Sequence, residues 1–463
     1  MSQFSSPDLS GERARVRRRS NYVQEFSLRP WARSFLFLIP IVVASVILSW
    51  EAFRVARAVY QLDSISIPEI QKGLQEDPGN ADLLHHLGTT YSIDPALADV
   101  NLAVKNLRQA AERNPRRWDY WSDLGISCDY SGDTACSDQA FERAAAINPM
   151  NPAVLWTLGN HYLLTDHADK AFPAFRRLLN LDPEYQLLAY RLCFRATHDP
   201  QAIYSGVVPN GPDASARFNF LLFLCSTADY ESAMKIWAQM ISGPDRSPAV
   251  ALVKPFMDFL LDHNQLDDAE SVWRDLQHAA VIPTASTAQS ANLIFNGDFE
   301  QQPLNTGFDW RLGDSPDLEF DPADPAGHRG GKCLRVDFLL GRNVEYNLAE
   351  QVVPIKPNTR YQLSAFLRSS NITSQSGPRL AAVEMGCSKC AIQAADPVVG
   401  TTPWHSVEVE FMTQPQTQAV KIIFWRPKES LYSRDITGTV WLDDVTLHDL
   451  DASGQGAMQA RAR

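Results

Sequence analysis

The pattern of apolar and polar residues divides the chain into three stretches with different periodicity. Residues 34–50 form an apolar run without a charged side chain. Between about residues 81 and 280, apolar residues recur three and four positions apart, which is the spacing of one buried face on an α-helix. From Asn292 onward, short runs such as Ser406–Phe411 alternate apolar and polar residues, which is the period of a half-buried β-strand. The pattern predicts a membrane-length helix, a set of amphipathic helices and an all-β region.

The apolar run at residues 34–50 is predicted to be a single transmembrane helix. As a helix it would span roughly 25 Å, close to the thickness of a bilayer core. Trp31 and Trp50 lie at its ends, where indole rings favour the membrane interface. A cleaved signal peptide and a buried helix of a soluble protein are the alternatives. Cleavage is disfavoured because the nearest A-x-A triplet, Ala56-Arg57-Ala58, contains a charge.

Charge asymmetry predicts the orientation of this helix. Residues 1–33 are assigned to a basic cytoplasmic tail, because they contain seven arginines and three acidic residues, whereas the whole chain carries a formal charge of −12. Positive residues are retained in the cytoplasm, so everything after Glu51 is expected to be exported. The expected location is a bacterial inner membrane, with the body in the periplasm or another extracytoplasmic space. An acidic body also argues against nucleic-acid binding.

The helical stretch contains an internal repeat. Pro115, Pro149 and Pro183 are 34 residues apart, and Gly125 and Gly159 keep the same interval. Small residues at such positions allow the axes of two paired helices to approach, and a proline cannot continue the helix that precedes it. A fixed period of this length indicates helix pairs that bury their apolar faces against their neighbours.

This repeat resembles the tetratricopeptide repeat, and the resemblance is specific over residues 81–185. It implies an α-solenoid over residues 51–281, with five recognisable repeats and a degenerate element. In that element Leu188–Arg195 reads as a helix without a clear partner. Solenoids of this kind usually bind proteins on an extended groove, and the alternative is a spacer that only holds the next domain away from the membrane.

The last part of the chain is predicted to be an antiparallel β-sandwich. Residues 282–290 are small and polar and contain a proline, which indicates a linker. Short alternating runs separated by Gly, Pro and Asn follow, so residues 291–449 are assigned to the sandwich. Residues 450–463 are assigned to a disordered tail.

Several sequence motifs of this region resemble those of the jelly-roll carbohydrate-binding modules of the four/nine type. The region opens with Asn292–Glu300 (NLIFNGDFE), continues with Gly330–Val336 (GGKCLRV) and closes with Gly438–Leu447 (GTVWLDDVTL). The resemblance implies a jelly-roll fold whose terminal strands pair. It also implies glycan binding on exposed aromatic side chains, but no such platform is identifiable, because all four tryptophans of the region are candidates for the core. These are Trp310, Trp404, Trp425 and Trp441. Trp404 just before a strand and Trp441 within one are expected to be buried.

The same resemblance implies a structural calcium ion near the opening and closing motifs. Carried over to this chain, Glu300 and Asp443 would be the carboxylate ligands, and backbone carbonyls would complete the shell. Oxygen ligands of this kind suit calcium. The alternative is a carboxylate that caps a turn without metal.

Four of the seven cysteines form two local pairs. Cys128 and Cys136 bracket the turn of the second repeat, and Cys387 and Cys390 form a C-x-x-C. In an oxidising compartment both pairs are expected to be disulfides. Two small apolar fillers are the alternative for the first pair. For the second, redox chemistry and half of a zinc site are disfavoured, because a second C-x-x-C and a thioredoxin-like setting are missing.

Together these features predict a non-enzymatic scaffold, because no catalytic sequence motif is found. The expected partners are envelope proteins on the solenoid, polysaccharide on the β module and the membrane through residues 34–50. The expected role is in synthesis or export of a cell-envelope polysaccharide. The alternative is a cell-surface glycan-binding protein whose repeats are only a stalk.

Overall fold

The computed structural model describes most of the chain as two compact units, Met1–Ile147 and Asn148–Arg463. The described residues are 30–59, 66–243, 247–284, 292–387, 390–430 and 435–451, without the side chains of residues 30–37 and 58–59. Most of the predicted cytoplasmic tail, linker residues 285–290 and tail residues 452–463 lie outside the described residues. The assignments of these segments stay predictions, and so does the position of the Trp31 side chain at the membrane interface.

The described part of the first unit is helical. Its helices are α1 (Pro30–Val59), α2 (Ile67–Glu76), α3 (Ala81–Ile93), α4 (Val100–Arg113), α5 (Trp118–Ser131) and α6 (Thr134–Ile147). Helix α1 contains the apolar run, and its segment Leu38–Arg57 is long and apolar enough to cross a membrane, with none of it buried. By length and composition this segment fits a membrane anchor or a signal sequence.

The first two repeats are the helix pairs α3/α4 and α5/α6. Side-chain caps begin α3 and α4: the Oδ1 of Asn80 accepts from Leu83 N at 3.1 Å, and that of Asp99 accepts from Leu102 N at 3.0 Å. These caps satisfy backbone N–H groups that a helix start leaves without an intrahelical acceptor. Helix α5 ends at Ser131, and the capping residue Gly132 has a φ of 76° that glycine adopts without strain.

The second unit begins with eight described α-helices and one short 3-10 helix, Pro183–Tyr185. The α-helices are α7 (Pro152–Leu164), α8 (Ala168–Leu181), α9 (Gln186–Thr197), α10 (Pro200–Gly206), α11 (Ser215–Ser226), α12 (Tyr230–Ser242), α13 (Val250–Asp262) and α14 (Leu266–His278). The degenerate element is therefore a helix pair, because α9 is followed by α10, a helix of about two turns that contacts it. The expectation of a helix without a partner is wrong. The short α10 was missed because it holds only seven residues between Pro200 and the break at Val207.

The rest of the second unit is a sandwich of two antiparallel five-stranded sheets. The strands are β1 (Arg311–Leu312), β2 (Leu318–Asp324), β3 (Cys333–Arg342), β4 (Tyr346–Pro354), β5 (Arg360–Ile372), β6 (Arg379–Glu384), β7 (Gln393–Ala394), β8 (Gly400–Met412), β9 (Ala419–Arg426) and β10 (Ile436–Asp449). The first sheet has the order β1-β4-β9-β6-β7 and the second β2-β3-β10-β5-β8. Alternate residues of the strands form one core between the sheets, which includes Trp310, Leu363 and Phe424. Helical repeats followed by a β-sandwich are the fold class that the sequence predicts.

The opening and closing motifs of the sandwich lie side by side. Leu293 N donates to Leu447 O at 3.0 Å, and Val445 N donates to Gly297 O at 2.8 Å. The Asn292 side chain adds a bond on each side, to Val445 O and from Leu447 N. The pairing of the terminal segments that the resemblance implies is therefore present.

The last helix pair packs directly on the sandwich. Trp273 of α14 is buried edge-on against the rings of Phe295 and Phe308, with centroid distances of 5.3 and 5.8 Å. Asp258 of α13 forms an ion pair with Arg311 at 3.0 Å. We call these five residues the junction. A buried tryptophan with an ion pair beside it fixes the sandwich on α13 and α14.

Candidate functional site

The outer face of the second sheet carries a row of directly opposed charged and aromatic residues. In β5 the buried residues alternate with partly exposed ones, so Phe366 and Arg368 lie on the outer face. Trp441 of β10 pairs with Arg368 on one side and with Arg335 of β3 on the other. The strand register therefore places one tryptophan between two arginines.

The two arginines differ in how their charge is balanced. Arg335 forms ion pairs with Asp324 and Asp337, each at 2.9 Å, and the hydrogen bond to Asp324 raises its pKa. The guanidinium of Arg368 lies over the ring of Trp441, with 4.6 Å between Cζ and the ring centroid. This contact is a cation–π interaction that covers the indole face. Trp441 is thus closed to a stacking sugar on that face.

An aromatic cluster lies beside this row and is partly exposed like it. His328 stacks on Phe366 with a centroid distance of 3.5 Å and meets Trp404 edge-on at 5.9 Å. The Nδ1 of His328 is 2.9 Å from an oxygen of Asp444, which fixes the orientation of the ring. Trp404 Nε1 donates to Ala326 O at 3.3 Å, so the cluster is tied to the loop at residues 325–332. We call His328, Phe366 and Trp404 the aromatic ridge.

A pocket of about 330 Å³ adjoins the aromatic ridge. Phe366 forms one apolar wall, and a hydrogen bond of 2.8 Å joins the Ser364 and Thr446 hydroxyls in the lining. The other polar side chains of the lining are Asn292, Asp298, Arg329, Asp444 and His448. An apolar ring beside several donors and acceptors is the combination that a polyhydroxylated ligand requires.

Glu300 and Asp443, the predicted calcium ligands, both contact the loop at residues 325–332. Glu300 accepts from Lys332 N at 3.0 Å, and Asp443 accepts from His328 N at 2.7 Å. Glu300 is exposed and Asp443 is buried, and burial raises the pKa of Asp443 to about 6. The contacts are those of carboxylates that hold a loop in place.

The fit of a calcium ion to these residues is partial. The described residues contain no group of three or more His, Cys, Asp or Glu side chains that could hold a metal. The ammonium of Lys332 donates to Glu300 O at 2.8 Å, so a cation of the chain already lies at one backbone oxygen. Calcium takes roughly six to eight oxygens, and most would have to be carbonyls or water. Calcium stays a prediction.

The two predicted cysteine pairs are disulfides in the structure. Their Cα atoms are 5.8 Å apart for Cys128–Cys136 and 5.5 Å apart for Cys387–Cys390. The three other cysteines are buried, and burial raises the pKa of each thiol to about 12. These are Cys193, Cys225 and Cys333. Such thiols are unreactive.

The four tryptophans of the sandwich fall into two groups. Trp310 is fully buried, and its Nε1 donates to Asn296 O at 3.0 Å. Trp404, Trp425 and Trp441 are only half-buried, so the expected burial of Trp404 and Trp441 is incomplete. Sequence reasoning missed His328, Phe366 and Arg368, because which strands are neighbours, and in what register, is not visible in a single sequence.

Comparison with known proteins supports the assignment of the sandwich. Residues 291–431 match the family model of the four/nine type that is described as a carbohydrate binding domain. No curated protein matches the chain significantly.

Several solved structures also align with the chain. A crystal structure of MamA is 21% identical over 38% of this chain and 90% of that chain, with a TM-score of 0.27. A second MamA structure is 20% identical over 38% and 84%, with a TM-score of 0.27. The enzymatically active domain of tailspike protein 4 from bacteriophage CBA120 is 14% identical over 35% and 22%, with a TM-score of 0.26. No inference follows at such TM-scores. By its motifs, its two sheets and its family match, the C-terminal half of this chain contains a carbohydrate-binding domain of the four/nine type.

Proposed function

We propose that this protein is a non-enzymatic, membrane-anchored scaffold outside the cytoplasm, whose sandwich binds glycan and whose helical repeats bind an envelope protein. The process would be synthesis or export of a cell-envelope polysaccharide. The observation that supports glycan binding most directly is the aromatic ridge beside the polar pocket on the second sheet. Sugar rings present apolar C–H faces and hydroxyl edges, and this surface offers a partner for each.

The glycan contact is assigned to Phe366 and His328 rather than to Trp441. Arg368 covers Trp441, whereas the ring of Phe366 lines the pocket and is backed by His328. Asp444 orients His328, and Ser364 and Thr446 supply hydroxyls within the same pocket. A pyranose that rests on this ring pair would therefore have hydrogen-bond partners at its edge.

Glycan binding is tested with the full-length protein in detergent on a panel of envelope polysaccharides. Phe366→Ala is expected to weaken binding at least about tenfold, which is a loss of about 1.4 kcal/mol. Trp425→Ala is the matched control, because Trp425 is a half-buried aromatic residue on the first sheet. Binding that Phe366→Ala leaves unchanged, or that Trp425→Ala reduces equally, would contradict the assignment.

The location of the body is tested by counting thiols. With both disulfides formed, the denatured protein exposes three thiols, because three of the seven cysteines remain free. Protein isolated from membranes under thiol-blocking conditions should therefore react with three equivalents of thiol reagent in denaturant. Seven equivalents would indicate a reducing compartment and would remove the basis of the proposed export.

The role of the repeats is tested by crosslinking in intact cells. A scaffold predicts that an envelope protein is captured through the described helices at residues 66–284. The alternative function, a surface glycan binder with a stalk, predicts glycan binding without such capture. Capture of an envelope protein therefore distinguishes the two functions. Both functions predict glycan binding, so the glycan assay tests what they share.

A further inference from the structure

Strand β10 is irregular where it passes the pocket beside the aromatic ridge. Its core residues include Leu442 and then Val445, so two residues separate them instead of one, and these are Asp443 and Asp444. The register of the pairing with β5 shifts at the same place, between Asp443 and Thr446. This is a β-bulge, which places two residues of one strand opposite one residue of its neighbour. Two consecutive aspartates therefore lie on the side of β10 that faces away from the core.

The two aspartates hold different parts of the loop at residues 325–332. Asp443 accepts from the backbone N of His328 at 2.7 Å. The Oδ2 of Asp444 lies 2.9 Å from Nδ1 of the same histidine and 3.3 Å from Nε of Arg329. The first contact fixes the loop backbone, whereas the contacts of Asp444 fix the imidazole that stacks on Phe366 and the guanidinium beside it. Asp444 therefore organises one wall of the pocket.

The backbone of Asp444 has a conformation that most side chains disfavour. Its φ is 48°, in the left-handed region, which glycine adopts without strain and other residues adopt less often. A strained residue persists only where the surrounding structure holds it, and such residues concentrate at binding sites. Glycine would satisfy the backbone at lower cost. The carboxylate at this position must therefore be explained by what its oxygens contact.

One oxygen of the Asp444 carboxylate is open. The printed contacts of the side chain use Oδ2, and no hydrogen bond from a described residue reaches Oδ1. Oδ1 is also not among the buried polar atoms without a partner in the described part of the chain, so it is open to solvent. The Asp444 side chain is 21% exposed, and that of Arg329, on the same pocket lining, is 75% exposed. The pocket thus offers an open acceptor with a donor beside it.

We propose that Oδ1 of Asp444 accepts a hydrogen bond from a hydroxyl of a neutral glycan stacked on Phe366, and that Arg329 donates to a neighbouring hydroxyl. This role depends on the glycan binding proposed above for the same pocket, and it makes Asp444 the residue that selects the ligand. A carboxylate only accepts, so the group that it meets must carry a donor hydrogen.

The charges of the lining favour a neutral sugar over a uronic acid. Among the described lining residues, Asp298 and Asp444 contribute two carboxylates and Arg329 one guanidinium, which Asp444 already pairs. The carboxylate of a uronic acid would enter beside these two and would be repelled. The ligand class is therefore a polysaccharide of uncharged, hydroxyl-bearing sugars.

The test measures the binding of hexasaccharides to the full-length protein in detergent by isothermal titration calorimetry. The neutral probes are hexamers of glucose, mannose and galactose. The acidic probe is a hexamer of galacturonic acid, a sugar that differs from galactose in the carboxylate at its sixth carbon. At least one neutral probe is expected to bind, and the acidic probe at least about tenfold more weakly.

Two substitutions separate ligand selection from support of the loop. Asp444→Gly should raise the Kd of the neutral probe at least about tenfold. Its thermal unfolding midpoint should change little, because the strain that glycine relieves offsets the lost loop contacts. Asp444→Asn keeps the size of the side chain and an acceptor oxygen but loses the charge. It should give an intermediate Kd and should lose part of the discrimination against galacturonate, which a residue that only supports the loop would not change.

Asn371→Gly is the matched control. Asn371 also has a positive φ, of 57°, belongs to β5 of the same sheet and is not among the described residues that line the pocket. It should leave the Kd of every probe unchanged. A wild-type Kd in Asp444→Gly, equal losses in Asp444→Gly and Asn371→Gly, or galacturonate bound as tightly as the neutral probe would overturn the proposal.

The variant Phe366→Ala distinguishes this proposal from the proposed function. If Phe366→Ala weakens binding and Asp444→Gly does not, the glycan site stands and the role of Asp444 is refuted. If no neutral probe binds, or if neither variant weakens binding, the assignment of the glycan site fails together with the role of Asp444.

Discussion

The helical repeats and the sandwich both bring chain segments close together at a glycine, but they place different atoms opposite it. In the second repeat a Cβ added to Gly125 would lie 2.7 Å from the ring of Phe141. In the sandwich a Cβ added to Gly297 would lie 2.2 Å from the backbone oxygen of Val445, a residue of the closing motif. A side chain can turn away, whereas a carbonyl in a hydrogen-bonded strand cannot. The repeats are therefore the more tolerant region.

The largest expected effect concerns the place where the two regions meet. Trp273→Ala should reduce the free energy of unfolding by about 4 kcal/mol, because it empties the space between Phe295 and Phe308. Denaturant unfolding followed by intrinsic fluorescence measures it, with Trp425→Ala as the half-exposed control. A wild-type unfolding midpoint in Trp273→Ala would mean that the sandwich and the last repeat are independent.

The glycine comparison itself is tested by two matched substitutions. Gly297→Ala should destabilise by about 3 kcal/mol, since the opening motif must move from β10, and Gly125→Ala by about 1 kcal/mol, since the Phe141 ring can shift. Gly341→Ala is the control, because its added Cβ would meet only side-chain atoms, at 3.5 and 3.7 Å. Equal losses at Gly125 and Gly297 would remove the distinction between the two regions.

Calcium would sharpen the comparison, since both predicted ligands, Glu300 and Asp443, belong to the sandwich. If the ion binds, adding Ca²⁺ to chelator-treated protein at saturating concentration should stabilise the sandwich by about 2 kcal/mol. Glu300→Gln should remove that gain, and Glu319→Gln, an exposed residue of β2, should retain it. An unfolding midpoint that does not respond to Ca²⁺ would leave both carboxylates as holders of the loop.

The smallest expected effect is a pH dependence that comes from one buried carboxyl group of the sandwich. Burial raises the pKa of Asp309 from 3.8 to about 6. The folded protein therefore takes up this proton before the unfolded chain does, and stability contributed by this group increases as the pH falls from 7 to 5, by about 1 kcal/mol.

Asp309→Asn should lack this increment. The measurement is the free energy of unfolding of both proteins at the two pH values, and the difference between the proteins isolates the group. An identical pH dependence in the wild type and in Asp309→Asn would show that Asp309 is ionised at pH 5.

The sequence predicted the regular part of the fold because local rules determine it. The period of 34 residues and the recurring glycines were sufficient to identify the three regular repeats. In the structure Gly88, Gly125 and Gly159 lie against side chains of the second helix of each pair, as close approach of the two helices requires. The pairing of α9 with α10 was not predictable, because seven residues carry too little periodicity to separate a helix from a turn. The sandwich was identified from its alternation and from its two terminal motifs.

The candidate site was predicted only in its outline. Glu300 and Asp443 were found because they lie in the motifs, whereas the aromatic ridge joins a loop residue, His328, to residues of β5 and β8. These meet only after the strands are ordered in the sheet, and residue spacing contains no information on that order.

The contact of Trp273 with Phe295 and Phe308 has a consequence for how force and position are transmitted. A carbohydrate domain attached only by a flexible tether could search a wide volume for its polymer. Because the sandwich is seated on α13 and α14, a polymer bound to the second sheet as proposed would keep a set angle to those helices. Pulling on the polymer would load the terminal helix pair directly, so the covalent connection at residues 285–291 would not carry the strain alone.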